Sequence, residues 1–462
     1  MADCRLDRDV LEIFSRGALS AAEALRVEFH LRSGCVACQR RIDEVVRSLL
    51  RVAGGADVAD IADIIDRAAV AADTAAAEDA AWERVLAGLE RRLALVSRER
   101  GAAPALVAEL LGHPPAEREA VARAARFRNL AVCELLIERS FEEGFQDPAR
   151  AIELAGLALG LVDRLDAGWY GRSVVQDLRA RAWAHLGNAR RIASDLAGAE
   201  QALIHAESLL AEGSADPLEE ARVLDLKASL LSDQGWFERA AEVLEEVIEI
   251  YEEIRDPHRR GRALISQGLF IGYAGQPEEA VGRISEGLAL IDAAEEPRLA
   301  LMARHNLAWF LNDCGRVGEA LALLERTRCS YHSFGDPWTE LRLLWLEGRI
   351  ALGLGRDGEA EAGLRAVRES FLQQGLGYDA AMVTLDLAGL YLRQGRSAEV
   401  RRLAEEMLCT FLAQDVHRQA AAALAALQQA VEMDRATPRL VREIAAYLLR
   451  ARKNPRLRFA GL

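Results

Sequence analysis

Five glycines, Gly235, Gly275, Gly315, Gly355 and Gly395, fall 40 residues apart along this chain. They sit in the segments LLSDQGWFERA, FIGYAGQPEEA, FLNDCGRVGEA, ALGLGRDGEA and YLRQGRSAEV. Seven residues before each stands a small residue: Ala228, Gly268, Ala308, Gly348 and Ala388. Five residues after each come Ala240, Ala280, Ala320, Ala360 and then Val400. Pro217, Pro257, Pro297 and Pro337 keep the same period, with Gly377 in the fifth slot. A period of this length confines the chain to stacked repeats, because each unit exposes an apolar face that only its neighbours can cover.

The local physics points to helix pairs. The aligned glycine ends one helix and permits a tight turn. The small residues on either side let two antiparallel helices approach closely. The proline opens the next pair at a helix N-terminus. Alanine, leucine, glutamate and arginine dominate and β-branched alternation is scarce, so the expected fold is all-α. An earlier unit, residues 186–203, keeps the pattern through Gly187 and Ala199, and another covers about 127–165 around Pro148 and Ala151. About seven pairs are expected from 127 to 414, with helices near 416–433 and 437–452 capping the end.

The small–glycine–small spacing resembles the tetratricopeptide repeat, and that resemblance implies an α-solenoid. The longer period implies extended helices; HEAT-type repeats have a similar period but lack the small-residue triad. The resemblance further implies an inner face that binds peptides through the first helix of each pair. By register those positions include Arg222, Arg262 and Arg342, which share one slot, and His305, Trp309, Asn312, Trp345 and Arg349. Arginine and tryptophan there suit an acidic or amphipathic segment. The plainer alternative is tryptophans packed between repeats and arginines paired with local acids.

Ahead of the array lies a different chemistry. His30, Cys35 and Cys38 stand within nine residues, in the run HLRSGCVAC, on a chain with 7 cysteines and 8 histidines. Residues 5–52 read as three short helices, the second opened by the capping box Ser20–Glu23. A structural zinc site takes four nitrogen or sulfur ligands. Two antiparallel helices of about 13 residues run ~20 Å out and ~20 Å back, so Cys4 returns beside His30. The predicted metal set is Cys4, His30, Cys35 and Cys38, with zinc as the cofactor.

Residues 4–50 resemble the zinc-binding anti-sigma factor domain of bacteria: an upstream Cys or His, then a His, a short gap and Cys-x-x-Cys. The gap of four residues is one longer than the family's usual three, with Gly34 able to take the left-handed conformation a longer loop needs. The resemblance implies binding to a sigma factor or related transcription component. Zinc thiolates of this kind also permit a thiol switch.

The expected domains are a zinc-binding helical domain at 1–52, an Ala/Asp-rich linker at 53–76, a helical lead-in at 77–126, the array at 127–433 and a C-terminal helix with basic tail at 434–462. The formal charge of −14 argues against a general nucleic-acid or acidic-membrane surface. The tail ARKNPRLRF, with Arg450, Arg452, Lys453, Arg456 and Arg458, is the one exception. It suits nucleic acid, an acidic partner or a salt-bridged cap on the array. No run approaches the length of a membrane span, and MADCRLDRDVLEIF has acids where a signal peptide needs a basic region, so a cytoplasmic protein is expected. No catalytic constellation can be assembled, so no enzyme is expected. The expected function is a soluble bacterial regulator, binding a sigma factor at one end and a second protein at the array. A zinc-stabilised adaptor unrelated to sigma factors is the alternative.

Overall fold

A computed structural model describes residues 96–144, 146–413, 418–452 and 457–459. The expectations for residues 1–95, including Cys4, His30, Cys35, Cys38 and the linker, lie outside the described residues. Every regular element among the described residues is helical. The chain divides into two compact units between Val223 and Leu224.

The described part of the first unit opens with α1 (residues 96–112), α2 (Pro115–Val121) and a 3-10 turn (Ala125–Phe127). There follow α3 (Leu130–Glu143), α4 (Pro148–Val162), α5 (Ala167–Tyr170), α6 (Arg172–Ile192) and α7 (Leu196–Leu210). Starts are set by side-chain caps: Asn129 accepts from Val132 N, Asp147 from Arg150 N and Asp195 from Gly198 N. α3 packs on α4, and α6 on α3, α4 and α7. Leu110, Phe127, Leu136, Leu154 and Leu161 are fully buried in the core they share, each contributing roughly 1.5–3 kcal/mol.

The helix α8 (Pro217–Asp233) carries the chain into the second unit. Five regular pairs are complete by residue 413: α8 with α9 (Phe237–Glu253), α10 (Pro257–Tyr273) with α11 (Pro277–Leu290), α12 (Pro297–Asp313) with α13 (Val317–Phe334), α14 (Pro337–Gly353) with α15 (Asp357–Gln373), and α16 (Gly377–Arg393) with α17 (Ser397–Ala413). Then come α18 (Arg418–Glu432) and α19 (Pro438–Ala451).

The periodic glycines do one job five times. Gly235, Gly275, Gly315, Gly355 and Gly395 take φ of 77°, 96°, 76°, 72° and 71°. At each, the glycine N–H reaches back three residues and the next N–H reaches back five, as in Gly315 N to Asn312 O (3.0 Å) and Arg316 N to Leu311 O (2.9 Å). This closes the last helical carbonyls and reverses the chain. The small residue seven positions earlier is where the two helices of a pair cross: Ala228, Ala308 and Ala388 are at most 1% exposed.

Within the second unit α10, α12 and α14 each touch the next first helix directly, and successive second helices (α11, α13, α15, α17) make no comparable contact among the described residues. The more closely spaced layer lies on the inside of the curve. The inner surface of this unit is therefore made by the first helices.

Candidate partner-binding face of the repeat array

The expected groove residues of the second unit fall on consecutive first helices, and the structure sorts them by role. Arg262 is exposed on α10 and pairs with Glu296 at the start of α12 (3.0 Å), which also meets His258 Nε2 (3.0 Å). Arg342, two repeats on in the same slot, is half-buried and donates to neutral atoms, Met302 Sδ at 3.5 Å and Asn306 Oδ1 at 3.4 Å. It acts at a distance on Tyr273 at the end of α10. Burial pushes that phenol up, and the charges of Arg342 and Arg452 pull the other way.

Trp309 of α12 and Trp345 and Arg349 of α14 form a ladder that reaches Asp386 on α16. Arg349 of α14 donates to Asp313 of α12 (2.6 Å) and lies 3.6 Å from Asp386 of α16. Its guanidinium sits 4.0 Å from the centre of the Trp309 ring, a cation–π contact. Trp345 meets Trp309 edge-on, with ring centres 5.0 Å apart, and donates its indole N–H to Asp386 (2.8 Å). Burial raises the Asp386 carboxyl, against the pull of Arg349 and the Trp345 hydrogen bond. These three side chains therefore bind repeat to repeat, as the plainer sequence reading allowed, and present only their outer edges.

His305 is placed differently from the groove expectation. It is 3% exposed, lies between α12 and α13, and its Nδ1 meets the Tyr331 hydroxyl at 2.9 Å. Burial and the nearby Arg342 hold its imidazole well below the ordinary range, so it is neutral. Asn312 is half-buried, its carboxamide oxygen against Gly353. Arg222 belongs to the first unit, where it and Arg181 both pair with the buried carboxylate of Glu219.

Around that pair the first unit holds a polar cluster that sequence inspection did not single out. Asp177, 7% exposed, accepts from the Ser214 backbone N–H (3.1 Å) and from its hydroxyl. Burial pushes its carboxyl up to about 6 despite those bonds. His185, edge-on to Phe141, is held down to about 4 by burial and by the charges of Arg181 and Arg222. Helical periodicity carries no signal for such a cluster, since its members come from separate elements.

The C-terminal helix also belongs to the candidate face. α19 packs on α16 and α18, both first helices. Its apolar side, Leu440, Val441, Ile444 and Leu448, is buried there. Arg452 donates to the buried Asp379 in the first turn of α16 (2.8 Å). Arg450 donates to Glu238 at the start of α9 (2.6 Å), 212 residues away, and lies 5.8 Å from the centre of the Phe237 ring.

Chemically the face is suited to binding. Among the described residues, no group of three or more His, Cys, Asp or Glu could hold a metal ion. Burial pushes the Cys133 thiol far up, which leaves no thiolate there. No helix among the described residues is long and apolar enough to cross a membrane.

Comparison with known proteins agrees with this architecture. The tetratricopeptide-repeat family profile matches residues 300–332, the span of α12 and most of α13. A solved Rap protein complexed with Competence and Sporulation Factor superposes with a TM-score of 0.53 at 13% identity, over 68% of this chain and 87% of that one. Aspartyl phosphate phosphatase F from Bacillus subtilis gives a TM-score of 0.49 at 14% identity, over 89% of this chain and 96% of that one. No curated protein sequence matches. The family profile and the likeness to the Rap protein thus support a tetratricopeptide-like helical array, and that likeness speaks to fold alone.

Proposed function

We propose that this chain is a non-catalytic regulatory adaptor whose repeat array binds a protein segment on its first-helix face. The observation that carries this reading is the face itself. Consecutive helices hold Arg262, Arg342 and the edges of Trp309 and Trp345 in one fixed layer, and Arg342 has neutral neighbours where an incoming carboxylate would find its charge. Affinity capture on the full chain tests it, with Arg342→Glu as the comparison. A partner lost at least tenfold in the variant supports the reading. A partner retained equally sinks it.

The N-terminal motif supports a second arm. Cys4, His30, Cys35 and Cys38 offer one imidazole and three thiolates, a donor set suited to structural zinc, and residues 1–52 then form an anti-sigma-like module for a sigma factor or related transcription component. Metal analysis of the purified chain is the direct check: about one zinc per chain, lost in Cys35→Ala/Cys38→Ala, is the expected result. A wild-type chain with far less than one equivalent rules the metal out. If zinc is present but no transcription component copurifies, the module is a zinc-stabilised interaction domain and the adaptor reading stands without a sigma factor.

A further inference from the structure

The last helix leaves the pattern of the array. By alternation α19 is the second helix of its pair and belongs on the outer layer. Instead it lies against its own first helix, α18, and the preceding one, α16; α17 already packs between those two on the outer layer, so α19 lies on the opposite, inner side. Its far end crosses to the opposite end of the unit. Arg450 reaches Glu238 of α9 at 2.6 Å, and the Arg450 carbonyl packs so tightly on Gly235 that a Cβ there would stand 3.1 Å from it. Leu457 lies against the same glycine, 3.5 Å from that Cβ position. Arg452 meets Asp379, which is 5% exposed. Tyr447 donates to the Leu457 carbonyl (3.1 Å) and its ring meets Phe459 at a tilt, so Leu457 and Phe459 lie back against α19.

The contacts divide into two kinds. Along α19 they are apolar and continuous with the core of α16 to α18. At its C-terminal end they are partly exposed ion pairs, Arg450 with Glu238 and Arg452 with Asp379. The Arg450–Glu238 pair is exposed enough to be individually weak, whereas Arg452 covers a buried carboxylate, so Arg450 is the more easily released of the two.

We propose that α19 is a resident occupant of the inner face, latched by Arg450 and Arg452, and that the surface beneath it is a docking site for an amphipathic helix ending in arginines. The occupant is chosen by the chemistry of the surface. An apolar strip on α16 and α18 accepts the Leu440–Val441–Ile444–Leu448 side, and acids at Glu238 and Asp379 accept two guanidinium groups at the helix's C-terminal end. A partner helix of the same design competes for the site, and α19 sets the threshold it must exceed. The inference rests on the protein-binding reading of the array and concerns the part of its face that α19 covers, whose latch residue Arg452 acts with Arg342 on the same phenol, Tyr273.

The test uses the full chain. Amide hydrogen exchange is followed in the wild type, in Arg450→Glu/Arg452→Glu, and in the charge swap Arg450→Glu/Glu238→Arg. The double variant should exchange about tenfold faster in residues 438–451, with α12 to α14 unchanged, and the swap should restore most of that protection. A labelled synthetic peptide of residues 437–459 is then titrated onto each chain. It should bind the double variant about tenfold more tightly than the wild type. Unchanged exchange in α19, or equal peptide binding by both chains, overturns the proposal. So does exchange that quickens throughout the unit, which would make α19 an ordinary part of its core. Exchange in residues 438–451 is also read in Arg342→Glu, so loss of partner capture with α19 still protected is told apart from failure of the latch.

Discussion

At the scale of single residues, one backbone conformation explains both what the sequence showed and what it hid. The left-handed turn after each first helix is marked by glycine in five repeats and is visible as a period. The same turn after α6 is made by Ser194, with φ of 67° and Asp195 N reaching back to Arg190 O. The turns after the second helices repeat too, but through Ala215, Arg255, Gly335 and Gly375. Residues of such different kinds carry no common signal, so half of the turn pattern was illegible before the backbone was known. Ser194 and Arg255 bear the strain of an L-residue with positive φ, ~1–2 kcal/mol, against ~0.5–1 kcal/mol for glycine's extra unfolded freedom. Ser194→Gly and Arg255→Gly should each stabilise by about 0.5–1 kcal/mol in denaturant unfolding, and Gly335→Ala should cost a similar amount. The first unit's buried groups add a pH effect. His185 titrates near 4 in the folded chain against an ordinary 6.5, so the stability it contributes is present above 6.5 and is lost as pH falls towards 4. Asp177 runs the other way: its folded value near 6 exceeds the ordinary 3.8, so its contribution is lost as pH rises through 6. The two slopes offset one another between pH 4 and 6. In His185→Gln only the second remains, and thermal unfolding followed from pH 4 to 6 should show the melting temperature falling with pH more steeply than in the wild type.

At the scale of elements, the small-residue slot decides how closely two helices cross, and its members are not equivalent. A Cβ at Gly268 would meet Ile284 Cγ1 at 2.7 Å and two backbone atoms, Ala280 O and Ile284 N, at 3.0 Å. A Cβ at Gly348 would meet only the movable side chain of Leu364 at under 3 Å, with the nearest backbone atom at 3.6 Å. Alanine gains about 1 kcal/mol of helix propensity over glycine, and overpacking against a fixed backbone costs about 1–3 kcal/mol. Gly268→Ala should therefore destabilise by up to about 2 kcal/mol, and Gly348→Ala should lie near neutral. Equal effects at the two positions, measured by chemical denaturation, would refute the distinction. The ladder of α12, α14 and α16 was half legible. Trp309, Trp345 and Arg349 were placed on first helices by register, but the acids that hold them, Asp313 and Asp386, stand 36 and 37 residues from Arg349, off the 40-residue period. His305 faces α13 and not the groove, a difference of rotation about α12 that periodicity alone does not resolve. Arg349→Ala leaves both acids without their cation and should cost about 2–3 kcal/mol, discounted from the full buried-pair figure because the side chain keeps some solvent contact.

At the scale of the whole molecule, the all-helical array and its stacking were legible because repetition averages out local ambiguity, whereas the basic tail's destination was not, because it depends on where the opposite end of the second unit returns in space. The charges were visible on the chain; Glu238 and Asp379 as their partners were not. An open solenoid grows or shrinks by whole repeats at little cost, since each unit needs only its neighbours. The contacts of α19 and Leu457 with Gly235 and Glu238 oppose that freedom. They form only when the intervening helices carry the chain around by one particular amount, so the unit behaves as a counted object. Excising Pro297–Asp336, one full period, keeps every neighbour-type contact available but alters the sum, and α19 should lose its protection from hydrogen exchange while the shortened stack stays helical by circular dichroism. For such a chain, gain or loss of a repeat carries a cost that an open array does not have, the loss of the α19 contacts at Gly235 and Glu238.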